Sequence, residues 1–163
     1  MARSATSLSD GHRPCSARII VIIQSSKTGR ASSALSRKLA KVLHLSEEDQ
    51  DALDGLGWDT RKVQARRDLI ADGERPKGVN LVMSGWACRY KMLRSGARQI
   101  TAILMPGDFC DLHVTMLAGM DHGIAALSPV TVARVSRSDL ERLRAERPAI
   151  SMGLDWMTMV DLG

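Results

Sequence analysis

Apolar positions recur along this chain in two rhythms, and the change of rhythm divides it. Leu35, Leu39, Val42 and Leu43 fall three and four residues apart, which predicts a short amphipathic helix over 34–44. Ser46 then opens the run Ser-Glu-Glu-Asp, with Asp49 three residues on. An N-cap hydroxyl and a carboxylate three residues later can satisfy each other's backbone N–H groups. A second helix is therefore expected to about Gly55, with Leu53 and Leu56 inward. From Trp58 the period shortens. Val63, Ala65 and Leu69 read as strand material on either side of Arg66 and Arg67. Turns are expected at Ala71–Glu74 and Arg75–Gly78, and a compact apolar run follows over Val79–Met83, broken by Gly85. Over Trp86–Leu93, Trp86, Cys88, Tyr90 and Met92 share one face, while Arg89, Lys91 and Arg94 point the other way.

A hairpin turn at Arg94–Ala97 leads into a return strand, Gln99–Met105, which Pro106-Gly107-Asp108 ends. Two further strands are expected at Asp121–Leu127 and Val130–Val135, hinged at Ser128-Pro129. Short strands with turns every eight to twelve residues predict an antiparallel barrel or jelly roll, so the fold class is mainly β with flanking helices. Helices return at the end. Ser136 or Ser138 caps one that carries Leu140 and Leu143, and Pro148 suits the first turn of another. That last segment, with Ile150, Met152, Leu154, Trp156, Met157, Met159 and Val160, is too short for a core of its own. It must pack on the roll or on a second copy.

Charge changes this picture only at the N-terminus. The net charge is +5, but residues 1–45 hold eight Lys/Arg against one Asp, and residues 46–163 hold fifteen against seventeen Asp/Glu. The basic excess belongs to this N-terminal part, which opens with a Ser-, Arg- and Gly-rich leader over residues 1–33, and not to a folded DNA-reading face. Three cysteines, Cys15, Cys88 and Cys110, form no Cys-x-x-Cys pair, which suits reduced thiols in a cytoplasm. No apolar run approaches the ~18 residues of a membrane span. A cytoplasmic protein with no membrane partner is expected.

Candidate chemistry gathers in one stretch. No nucleophile elbow, His-Glu-x-x-His or Walker loop is present, so an enzyme is not expected. Cys110, His113 and the distant His122 have a zinc-like spacing, with Asp111 as the fourth ligand. The plainer reading is a buried Cys110 and two hydrogen-bonded or surface histidines. The glycine turn at 106–108 could hold an anion. However, no Arg or Lys lies between Met105 and Arg134, while Asp108, Asp111 and Asp121 do.

Residues Arg67–Val114 resemble the effector domain of Crp/Fnr-type bacterial transcription regulators. The likeness rests on Asp72-Gly73-Glu74, on Val79 to Gly85 ending in Ser-Gly, on Gly96-Ala97-Arg98-Gln99 and on Pro106-Gly107-Asp108-Phe109, and it extends from about Leu35 to Leu162. It implies a cyclic-nucleotide-binding-like β-roll over 34–147, including its N-terminal helices. A helix from 148 would pair two subunits, here through Ile150, Leu154 and Met157, and a C-terminal helix-turn-helix would read DNA. Nucleotide-binding members carry a Gly-Glu pair and, further on, an Arg followed by a small residue. The resemblance places Asp111 near the Glu and His122-Gly123 near the Arg. It thus offers Gly107, Asp111, His122 and Gly123 for ligand contact, without the cation that holds a cyclic phosphate.

No cofactor is expected, cyclic AMP included, and the cysteine group of iron–sulfur members is missing. The expectation is the sensor half of such a regulator, with a dimerisation helix cut short over 148–163 and no specific DNA binding of its own. It would work as a homodimer. The alternatives are a free-standing β-roll that pairs with a full-length relative, and a metal-binding β-barrel.

Overall fold

The computed structural model describes residues 31–112 and 119–162. The leader expected over 1–33 lies, up to Arg30, outside the described residues. Among the described residues, four helices and seven strands follow in order: α1 Ala31–Leu39, α2 Glu47–Asp54, β1 Asp59–Val63, β2 Asp68–Ile70, β3 Val79–Ser84, β4 Ala87–Met92, β5 Arg98–Leu104, β6 Gly123–Ala126, β7 Val130–Val135, α3 Arg137–Glu146 and α4 Pro148–Leu162. The strands form two antiparallel sheets, β1-β7-β3 and β2-β6-β4-β5. Antiparallel sheets with flanking helices are the mainly β class that the strand and turn spacing predicts.

The local signals act as their chemistry requires. Ser46 Oγ accepts from Asp49 N–H at 3.1 Å, and Asp49 Oδ2 accepts from Ser46 N–H at 3.2 Å, so the reciprocal cap of α2 is made. Ser136 caps α3 by accepting from Asp139 N–H at 3.1 Å. The strand expected over Asp121–Leu127 is shorter, because pairing with β4 begins at Gly123 opposite Tyr90. In β4, Cys88 and Tyr90 are buried as their shared face predicts, whereas Trp86 and Met92, at the ends of that row, are half exposed.

Two cores share β3 and β7. Between the sheets lie Ile70, Val82, Ala87, Leu104, Ile124, Val130 and Val132. On the far side of the three-stranded sheet, Val79, Leu81 and Val135 meet Leu35, Leu39, Leu53, Leu140, Leu143, Ile150 and Leu154 from the helices. A strand that serves both cores must be apolar on both faces, which is why Val79–Met83 reads as a run rather than an alternation. Asn80 is the exception in that run, and it is 3% exposed.

Ile150, Leu154 and Met157, read from the sequence as a subunit face, lie in this chain's own core. The exposed apolar residues of α4 are instead Met152, Met159 and Val160. Residues of α1, α2, α3 and the three-stranded sheet make up the core that buries the first set, and the sequence pattern does not reveal those partners.

Candidate functional site

The turn Pro106-Gly107-Asp108 is built for docking onto β3. Gly107 has φ +96°, a region that disfavours a side chain, and a Cβ there would approach Ala34 O at 3.0 Å. Its N–H donates to Val82 O at 2.8 Å, and Val82 N–H donates to Asp108 O at 2.8 Å. Cys110 N–H then donates to Asn80 O at 2.8 Å, and Phe109 bridges to Leu81. The Asp108 side chain closes the turn by accepting from Met105 N–H at 2.8 Å, and it forms an ion pair with Lys38 of α1.

Asp111 completes this pairing. Its Oδ1 accepts from Asn80 N–H at 2.8 Å and its Oδ2 from Asn80 Nδ2 at 3.0 Å. The carboxyl is 1% exposed, and burial pushes its pKa up to about 6. The two Asn80 bonds and the charges of Arg137 and Arg61 offset part of that rise.

At the entrance to β6 the ring of His122, 3% exposed, is held by Asp121, with Nδ1 donating to Oδ1 at 2.7 Å. Lys91 Nζ donates to the other oxygen at 3.1 Å. These bonds hold the Asp121 carboxyl down at about 2, with His122 the larger cause. Gly123 lies against the Tyr90 ring, and a Cβ there would fall 2.3 Å from Tyr90 Cζ. Tyr90 is itself fixed from its other side. The Arg98 guanidinium stacks 4.2 Å from the ring centroid and grips Asp68 through two bonds of 2.8 and 3.0 Å.

Of the four residues offered for ligand contact, Gly107 and Asp111 are thus zipped to β3, while His122 and Gly123 lie against Asp121 and Tyr90. The intervening residues 113–118 lie outside the described residues, His113 among them. Among the described residues, no group of three His, Cys, Asp or Glu side chains is placed to hold a metal ion. Cys110 is fully buried. The sequence reading missed Asn80, the one polar residue in an apolar run. That anomaly was the available signal.

Comparison with known proteins accords with this architecture. Residues 60–147, more than half of the 163, match the sequence profile of the cyclic nucleotide-binding domain. The chain belongs to this family. No curated protein sequence matches it. Among solved structures, this cyclic nucleotide-binding domain is similar to one from Methylobacillus flagellatus (TM-score 0.67, 18% identity, covering 82% of this chain and 79% of that one). It is similar to the sensor domain of the transcriptional regulator DNR from Pseudomonas aeruginosa (0.65, 15%, 84% and 92%). It is also similar to the catabolite activator protein of Thermus thermophilus (0.64, 20%, 77% and 58%). At these identities the likeness is one of fold, and the chain spans 58% of the length of the Thermus protein. Among the described residues no helix is long and apolar enough to cross a membrane.

Proposed function

We propose that this domain is the signal-sensing part of a Crp/Fnr-type transcription regulator. It answers a signal other than cyclic AMP and passes the response through α4 to a DNA-reading domain outside residues 31–162. The observation that carries this reading is the two-sided packing of α4. Ile150, Leu154 and Met157 anchor it in the core beneath β3 and β7, while Met152, Met159 and Val160, 60%, 73% and 56% exposed, face outward. A shift of the roll against α4 would therefore move an apolar surface suited to a second subunit. Coupling of signal to DNA affinity requires that the signal bind the two arrangements unequally.

The internal bonds of the candidate residues support a signal other than a cyclic nucleotide. Position 122 is a histidine bonded to Asp121, the Asp111 carboxylate is bonded to Asn80, and Tyr90 fills the space at Gly123. Titration calorimetry with cyclic AMP should give no heat of binding, and sedimentation equilibrium should give a dimer. Tight cyclic AMP binding, or a monomer throughout the accessible concentrations, would count against the reading. The same exposed row of α4 favours a second reading, pairing with a full-length relative. If adding this chain to such a relative leaves operator affinity unchanged, that second reading fails.

A further inference from the structure

One end of the roll interior is polar. On the inner face of the three-stranded sheet, Val63, Val82, Val130 and Val132 give way to Arg61, Asn80 and Arg134. Asn80 and Arg134 stand directly opposite each other across β3 and β7. Arg61 reaches from this sheet to the other, donating to Leu69 O at 2.6 Å. The β2–β3 turn closes the end with Glu74, Arg75, Pro76 and Lys77, and the whole encloses about 260 Å³.

Two independent observations point to a ligand there. The first is charge. Four cations, Arg61, Arg75, Lys77 and Arg134, line the pocket against one carboxylate, Glu74. Arg134 is paired with Asp59 at 2.7 Å, and Glu74 accepts from Ala71 N–H at 2.9 Å. Arg75 and Lys77 have no hydrogen bond or ion pair among the described residues. The second is Asn80. Its Nδ2 is committed to Asp111, which fixes the orientation of the amide, and its buried Oδ1 has no hydrogen-bond partner among the described residues. A buried amide oxygen left without a donor loses its hydration with nothing in return, so this position favours an incoming O–H.

We propose that the pocket binds a small phosphate monoester bearing a hydroxyl group. The phosphate lies among Arg75, Lys77, Arg61 and Arg134, and the hydroxyl donates to Asn80 Oδ1. Because Asn80 also holds Asp111, occupancy would bear directly on the segment 107–111. The proposal is independent of the sensor reading, since none of Gly107, Asp111, His122 or Gly123 lines this pocket.

The test is a titration of the isotope-labelled full chain with glycerol 3-phosphate, and separately with methyl phosphate, at constant ionic strength, followed by NMR. Saturable shifts are expected at the Asn80 side-chain amide and at residues 75–78, with methyl phosphate at least about fivefold weaker for want of the hydroxyl. The exposed double substitution Arg75→Gln/Lys77→Gln should weaken binding by roughly tenfold or more while leaving the melting temperature unchanged. No saturable shift below roughly 10 mM overturns the proposal, as does undiminished binding by the double variant. Equal affinity for the two esters overturns the role of Asn80. Tighter binding of a random DNA duplex, lost in the same variant, would reassign these cations to nucleic acid and overturn the proposal too.

Discussion

Asp111 receives two hydrogen bonds from a single residue, Asn80, one from its backbone N–H at 2.8 Å and one from its side-chain amide at 3.0 Å. The pair lies 31 residues apart in sequence and both members are buried, so it clamps the segment after the Pro-Gly-Asp turn to the start of β3.

The clamp has a pH signature. Burial raises the Asp111 pKa from 3.8 to about 6, even with Asn80 bonded to it and with Arg61 of β1 and Arg137 of α3 nearby. Between those two values the folded chain retains a proton that the unfolded chain has released. The contribution of Asp111 to stability therefore falls as pH rises from about 4 to about 6, and levels off above that at a cost of up to about 3 kcal/mol. Asp111→Asn removes this dependence and can keep a paired amide if Asn80 turns over. Melting curves of the two proteins should diverge in favour of the variant between pH about 4 and about 7. A difference that stays constant over that range would mean that Asp111 titrates normally.

Gly123 and Tyr90 should be energetically coupled. A Cβ at position 123 would fall 2.3 Å from Tyr90 Cζ, and Arg98 and Asp68 hold the ring from its other side. Gly123→Ala is expected to cost about 1–3 kcal/mol by overpacking, and much less in a Tyr90→Ala background. Denaturant unfolding of the four proteins in this cycle measures the coupling. Additive costs would mean that the two residues do not meet.

What the sequence made legible, and what it hid, follows from where each signal resides. The capping box at Ser46 and Asp49, Ser136 at the start of α3 and the glycine turn at 107 are local chemistry, readable within four residues. The strands of the roll were legible because their turns are spaced by glycines that must bend the chain, and Gly85, Gly96 and Gly107 all have positive φ. The role of the α4 face is not legible in the sequence, because Ile150, Leu154 and Met157 are apolar in either role. Only their packing against α1, α2 and the three-stranded sheet distinguishes a core from an interface. The basic pocket was hidden for a similar reason. Arg61, Arg75, Lys77 and Arg134 are scattered along 74 positions, and the fold alone brings them together.

Ser46 offers a check on the local reading. Its hydroxyl accepts from Asp49 N–H and donates to Asp49 Oδ2 at 2.8 Å. Ser46→Ala removes both bonds and should destabilise the domain by about 1 kcal/mol, whereas Ser46→Asp, which can still cap, should cost less. Chemical denaturation of the three proteins tests this order. Equal stability of Ser46→Ala and the parent would show that α2 is held by Leu53 and its neighbours alone.

The two sides of α4 should separate by experiment. Leu154 is fully buried among the helix core residues, so Leu154→Ala should cost about 2–5 kcal/mol through lost packing and the cavity left behind. Met159 and Val160 are 73% and 56% exposed, so Met159→Glu/Val160→Glu should change monomer stability by no more than about 0.5 kcal/mol per site. If those residues form the subunit face, the same double substitution buries two carboxylates against apolar surface when the dimer forms. Sedimentation should then show a dimer for the parent and a monomer for the double variant, with both giving the same circular dichroism spectrum. A double variant that remains dimeric would place the subunit contact elsewhere on the domain, and the route from roll to α4 to partner would have to be abandoned.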